Sequence, residues 1–490
     1  MAIVLKDLKP KIIWDLFEQI SKIPRPSKKE EKIRRWVHDW AKNQSIALKE
    51  DKIGNILLRV PAAPGCEGFP ILILQAHMDM VPQKIPDSSH NFETDPIQLK
   101  VEEDELGSHV TADGTTLGAD NGIGMAIALS AASLPDVQHG PLEILLTVDE
   151  ETGLTGAFGL EKGFFSGKFL LNIDSEDFTE ITISSAGGGD TEFSIPITTR
   201  MFEGYEAINM EVSGLSGGHS GIDIHLPRSN ALKVLVSGLA AVRENVPISL
   251  GEINGGTARN AIPRDARAVI LFPSSELEKA VMAIEEWKQH KLSNKQADDP
   301  DLSIEYGEAN QDSGLSFEET DSLVNLLSAI PHGPQSFSSE IEDLVETSCN
   351  LAMIRWNEEE NLVEIGASTR SSIISELDRV RNELKNLGER HSAFVTQDKA
   401  YPGWKPDLEA PFLKLIHQIY EDVAAQEVKM KAIHAGLECG LFTRLDPDLQ
   451  IVSIGPEIKD GHSPNERVYT DTVRVIWDVL IKIMENLNEI

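Results

Sequence analysis

Cysteine is scarce: Cys66, Cys349 and Cys439 are the only three in 490 residues, far apart and odd in number. That usage argues against a disulfide framework and is expected of a cytoplasmic protein. Positive charge is in deficit, with 45 Lys and Arg against 79 Asp and Glu and a net charge of −34. Nucleic acid and anionic membranes would repel such a chain, so neither is an expected partner. No apolar run approaches membrane-spanning length. The opening MAIVLKDLKPKIIWDLFEQI has neither an apolar h-region nor a small-residue cleavage site, so no signal peptide is expected. A phosphate-cradling fingerprint is missing too. GADNGIG lacks the G-x-G-x-x-G spacing and places Asp120 where a phosphate would be repelled. What remains is an ordinary globular composition, 41% hydrophobic and 25% charged, in a chain long enough for two domains.

Short apolar strands alternate with helices at both ends of the chain. Helical periodicity covers Pro10–Ile23, and Ser27 with Glu30 reads as a capping box opening a second helix to Lys42. Strands are expected at Asn55–Val60, Phe69–Gln75, Gln98–Val101, Leu142–Val148 and Phe169–Ile173, with a small-residue helix at Gly122–Ser133. The same texture returns after Tyr401–Pro406, as helix Ala410–Ala424, strand Leu449–Ile454 and helix Thr470–Leu487. This predicts an α/β domain with a mainly parallel sheet from residues 1–187 and 400–490, and an α+β domain of residues 188–399 inserted in it. In the insert, strands are expected at Glu206–Val212 and Ala266–Phe272, and helices at Asn230–Arg243, Glu276–His290 and Ile374–Leu387, the last ended by Gly388. Leu344–Arg355 and Asn361–Ser368 read as a hairpin, and polar 288–301 as a solvated loop. Its length suggests a doubled strand–helix unit.

One stretch stands out: TVDEETG puts Asp149, Glu150 and Glu151 in a row just after a buried strand. Adjacent like charges repel and are costly to bury unless compensated. Other candidate ligands also follow strands or glycine turns: His77 and Asp79 in HMDM, Asp120 in GADNGIG, Asp174 in NIDSED and His462 in GHSPNE. Each alone has an ordinary structural reading, as a paired histidine, a helix cap or a surface acid. Together they suit a divalent metal site outside the carboxyl ends of a parallel sheet.

Taken in order, these five motifs resemble the two-zinc metallopeptidase family of aminoacylases, carboxypeptidase-G-like enzymes, peptidase T and carnosinase-type dipeptidases. The resemblance covers essentially the whole chain, GLSGGHSGIDIH, GGTARNAIPRDA and YPGWKPD included, and runs furthest toward the family's bacterial dipeptidases. It implies a zinc-peptidase-like catalytic domain with an inserted lid and dimerisation domain. It implies two divalent ions, zinc with cobalt or manganese as alternatives. His77 and Asp174 would complete one site, Glu151 and His462 the other, with Asp120 bridging. Asp79 would orient the His77 imidazole. A water between the ions would lose its proton near neutral pH, with Glu150 as general base.

The resemblance also implies that His219 holds the oxyanion in a partner subunit of a homodimer, that Arg370 grips the substrate carboxylate, and that Asn260 faces the substrate. Glu438, in HAGLECG, is assigned to the substrate amino group, and Cys439 beside it is the one thiol near the site. Asp149 is left as a solvated or structural residue. The implied activity is hydrolysis of Xaa-His and other unblocked dipeptides. An N-acyl amino acid amidohydrolase or carboxypeptidase would share the metal core, and a non-catalytic binding protein would share the fold. An intact Glu150 disfavours the last.

Overall fold

The computed structural model describes residues 5–134, 137–339, 341, 343–434 and 436–490. They form two compact units. The first comprises Met1–Ser185, Trp404–Ala432 and Leu437–Ile490, the second Ala186–Gly403 and Ile433–Gly436. The short 433–436 excursion, with His434, has no signal in the sequence. Among the described residues no helix is long and apolar enough to cross a membrane.

In the first unit, the apolar strands Leu72–His77 and Leu142–Thr147 are buried along their whole length, as strands covered on both faces must be. Leu72–His77 runs parallel to Leu142–Thr147 on one side and to Phe169–Asn172 on the other. Phe169–Asn172 continues in parallel to Gln450–Ser453, so the two ends of the chain meet in one sheet. Antiparallel strands Ile56–Val60 and Ala47–Glu50 extend the Leu142 side. The carboxyl ends of four parallel strands therefore open on the same edge; HMDM, DEETG and NIDSED follow three of them directly, and GADNGIG opens the helix Ala119–Ala131.

Two local expectations need correction. The second helix begins at Glu31, and neither Ser27 nor Glu30 caps it through its side chain. Glu30 turns inward instead, accepting the N–H groups of Lys28 at 2.9 Å and Asp149 at 3.0 Å. Gln98–Val101 is realised as Leu99–Asp104, paired with Gly107–Ala112 in a separate sheet.

The second unit is built on a nine-stranded sheet. Two antiparallel halves meet at the Gly255–Ile354 pairing. The hairpin across WNEEEN joins Val345–Asn357 to Leu362–Ser371. The helix from Ile374 does not stop at Gly388 but runs to Arg390. Gly388 is packed against Phe193 and Val395, where a side chain would not fit, so it serves packing rather than termination. Nor is 288–301 simply solvated. The helix Leu277–Ser293 takes its first part, and buried Asp299 accepts the N–H groups of Ser216 at 3.0 Å and Ser229 at 2.6 Å.

Gly124 lies where the helix Ala119–Ala131 crosses the end of the Phe169–Asn172 strand. A Cβ there would overlap the Ile173 carbonyl and the Asn121 amide. Alanine gains about 1 kcal/mol in helix propensity, but overpacking costs about 1–3 kcal/mol. Gly124→Ala is therefore expected to lower the Tm of the metal-free protein in calorimetry, against propensity.

Candidate metal centre

His77 closes its strand with the imidazole 1% exposed, and its Nε2 lies 3.0 Å from Asp120 Oδ1 and 3.4 Å from Asp174 Oδ1. His462 Nε2 lies 3.0 Å from Asp120 Oδ2 and 2.9 Å from Glu151 Oε2. The two oxygens of Asp120 thus face two different imidazoles. Two ligand groups result, His77–Asp120–Asp174 and Asp120–Glu151–His462, each with atoms within 4.8 Å of one another. Neutral imidazoles with carboxylates are a donor set for zinc and similar divalent ions. Glu151 Oε1 is buried and has no hydrogen-bond partner among the described residues, a further sign that the donors fit a cation. His77, Glu150 and Glu151 form a third possible grouping, so proximity alone does not separate ligand from base.

The surrounding contacts hold these groups in place. Asp79, fully buried, lies 3.3 Å from His77 Nδ1 and accepts the N–H groups of Glu150 at 3.0 Å and Glu151 at 3.3 Å. It therefore stands beside the imidazole and holds the start of the DEETG turn. The Asn121 amide, absent from the sequence reading although it lies inside GADNGIG, donates to the Ile173 carbonyl at 2.7 Å and to Asp174. Asp149 is buried, not solvated, and accepts the hydroxyls of Thr152 and Thr155.

The electrostatics reflect the crowding of acids. Burial raises Glu150 well above the usual carboxylate range, and Asp174, Glu438 and Glu151 add to the effect against His77. Burial likewise raises Asp174 and Glu151, and lifts Glu176 to about 8. Hydrogen bonds to Asp120 and Glu151 push His462 up to about 11. Burial opposes ionisation of Asp120, but His462 and His77 outweigh it and lower its pKa. These are the shifts of a site whose acids and imidazoles share too few protons, a balance that divalent cations alter most.

Glu438 lies deeper than its residue type suggests. It is 1% exposed. One oxygen accepts Gln75 Nε2 and Thr147 Oγ1, both at 2.7 Å. Burial lifts it to about 8. The bonded oxygen takes a place in a polar chain across the sheet, while Oε1 is buried with no hydrogen-bond partner among the described residues. Gln75 accepts from Asn172, and Asn172 accepts from Ser453. Cys439 is buried beside it, its thiol pushed well up by burial.

Within the second unit, His219, Asn260 and Arg370 are also brought together. Gly218–His219 pairs with Ala261–Ile262, and the Asn260 carbonyl accepts the Ser220 N–H at 2.8 Å. His219 Nδ1 accepts the N–H groups of Gly221 and Ile222, each at 3.1 Å, which leaves the proton on Nε2. Burial, then Arg370, lowers the His219 pKa, so this ring is a neutral Nε2–H donor. Arg370 is 9% exposed, donates to the Tyr401 hydroxyl at 3.4 Å, and has no carboxylate partner among the described residues. His434, read from the sequence with Glu438 in HAGLECG as lining the pocket but given no role, meets Ser348 Oγ at 2.7 Å and is lowered to about 3 by burial and Arg370.

With this geometry in place, the comparisons with known proteins are informative. The model of Peptidase family M20/M25/M40 matches residues 73–486. Cytosol non-specific dipeptidase of Escherichia coli (strain K12) is 39% identical over 99% of both chains. The crystal structure of aminoacylhistidine dipeptidase from Vibrio alginolyticus is similar at a TM-score of 0.91 and 38% identity, over 99% of this chain and 98% of that one. A tripeptidase from Staphylococcus aureus, at 15% identity and a TM-score of 0.56, shares the fold alone.

Because Asp120 faces both groups, Asp120→Ala should weaken both ions, whereas Asp174→Ala should weaken one. Equilibrium dialysis with zinc reads this directly. Chelation should also lower the Tm, since an ion at 100 times its Kd stabilises by about 2.7 kcal/mol.

Proposed function

This chain belongs to peptidase family M20/M25/M40, and on that premise we propose that it is a metal-dependent dipeptidase acting on Xaa-His and other unblocked dipeptides. The observation that carries the chemistry is the Asp120 carboxylate shared by two His–carboxylate groups, with Glu150 beside them. Full-length similarity to a cytosol non-specific dipeptidase and to an aminoacylhistidine dipeptidase supports the substrate class. A cytoplasmic location accords with the cysteine usage and with the first relative's name.

His77, Asp120 and Asp174 would hold one ion, and Asp120, Glu151 and His462 the other. Zinc suits these donors, as do cobalt and manganese. Bound, such ions polarise a carbonyl and acidify water. Glu150 takes the proton of the attacking water on its carboxylate and returns it to the leaving amine. Asp79, 3.3 Å from His77 Nδ1, would keep the Nε2 lone pair aimed at the ligand group from the opposite edge of the ring. His219, neutral and protonated on Nε2, is the proposed oxyanion donor, contributed to a partner copy in a dimer formed through the second unit. Arg370 offers a desolvated guanidinium to the substrate carboxylate, with Asn260 alongside.

Zinc-loaded protein is expected to hydrolyse alanyl-histidine and to leave acetylated amino acids intact. Hydrolysis of acetylated substrates only would make it an amidohydrolase instead. Glu150→Ala should keep both ions and lose about 10²–10⁴-fold in turnover, the scale of general base catalysis. Ion loss in that variant would make Glu150 a ligand. His219→Ala should lower kcat without ion loss, and Arg370→Met should raise KM; unchanged kinetics would remove either residue from the site.

A further inference from the structure

The loop Leu117–Asp120, which delivers the shared carboxylate, is held from both sides by buried charges with no role in the scheme above. Glu466 is 2% exposed. Its Oε2 accepts the N–H groups of Leu117 at 2.8 Å and Gly118 at 3.0 Å, and its Oε1 those of Ala119 at 2.7 Å and Asp120 at 3.2 Å. Four consecutive amides thus converge on one carboxylate. Gly118, at φ 68°, makes the turn that brings them round. On the carbonyl side stands Arg25, 1% exposed. It donates to Gly118 O, to Asp79 O at 2.7 Å and to Met78 O at 3.1 Å. A side chain on Gly118 would collide with Arg25 and Met80.

The two clamps reach different parts of the centre. Arg25 joins the Asp120 loop to the turn that follows His77. Glu466 lies four residues after His462, and its own backbone is anchored, its carbonyl accepting Thr111 Oγ1 at 2.8 Å and its N–H reaching Ser463 O at 3.0 Å. One side chain therefore connects the His462 loop to the Asp120 loop. A carboxylate that serves two imidazoles from opposite oxygens has little angular freedom. An error in its backbone is felt in both groups at once.

We infer that Glu466 is a positioning residue that fixes the shared carboxylate and the His462 loop relative to each other before any ion binds, with Arg25 as its counterpart on the carbonyl side. The inference rests on the reading of Asp120 as a ligand common to two ions. Charge-assisted bonds to four amides would also support the fold, so the test must read something that stability alone does not move.

The variant is Glu466→Gln, whose NH₂ group cannot accept and would face two of the four amides. Zinc affinity is measured by competition with a chromophoric chelator on protein shown to be folded by circular dichroism and gel filtration. Both ions are expected to weaken by about 10–100-fold, the usual effect of losing a partner behind a metal ligand. In metal-free protein, amides 117–120 should exchange with deuterium faster than in wild type. A folded variant with wild-type affinity at both ions, or with loss at one ion only, overturns the inference. If Glu466→Gln does not fold, Thr111→Val, which removes only the brace on the Glu466 backbone, decides the matter. A smaller loss at both ions supports the inference, and unchanged affinities overturn it. Wild-type stoichiometry is measured first. A single ion per chain would refute the shared-carboxylate reading itself, so the two failures are distinguishable.

Discussion

Carboxylates gathered in a buried place repel one another, and the arrangement of the first unit answers that repulsion. Asp120, Glu150, Glu151 and Asp174 meet around two imidazoles with too little positive charge to balance them, which is why burial and mutual repulsion raise three of the four. Asp120 alone moves the other way, because both imidazoles address it. The shared carboxylate is thus the electrostatic hinge of the site. Two divalent ions would turn the repulsion into attraction, and a group left beside them would carry protons.

The sheet supplies the positions. Four parallel strands end on one edge, and three of them run directly into segments that carry candidate ligands, His77, Glu151 and Asp174. Below the ligand layer, Thr147, Gln75, Asn172 and Ser453, one from each of these strands, are joined by hydrogen bonds that end on buried Glu438. Along a strand, residues i and i+2 share a face, so Gln75 lies one pleat beneath His77. These hydrogen bonds cross the strands whose ends must stay in register, and they leave Glu438 Oε1 at the end of the row without a partner among the described residues.

What was legible in the sequence is local. HMDM, GADNGIG, DEETG, NIDSED and GHSPNE each carry a candidate ligand beside a strand or glycine turn, and apolar runs such as Leu142–Thr147 announce buried strands. The less legible features depend on contacts between distant segments. Glu466 reaches Asp120 across 346 positions, and Glu438 reaches Gln75 across 363. Neither residue type nor spacing signals such a partner. The same limit explains the misreadings. Glu30 has capping-box spacing but is drawn inward by the Asp149 amide, and Gly388 has the look of a helix stop but is selected by Phe193 and Val395. Of the two readings left open for Asp149, solvated or structural, the contacts favour the structural one: two threonine hydroxyls satisfy it in the interior.

The most direct test of the shared-carboxylate account is an anomalous difference map from zinc-grown crystals. It should show two peaks flanking Asp120, one reached by His77 and Asp174 and the other by Glu151 and His462, with Glu150 coordinating neither. A single peak, or Glu150 among the ligands, would contradict it.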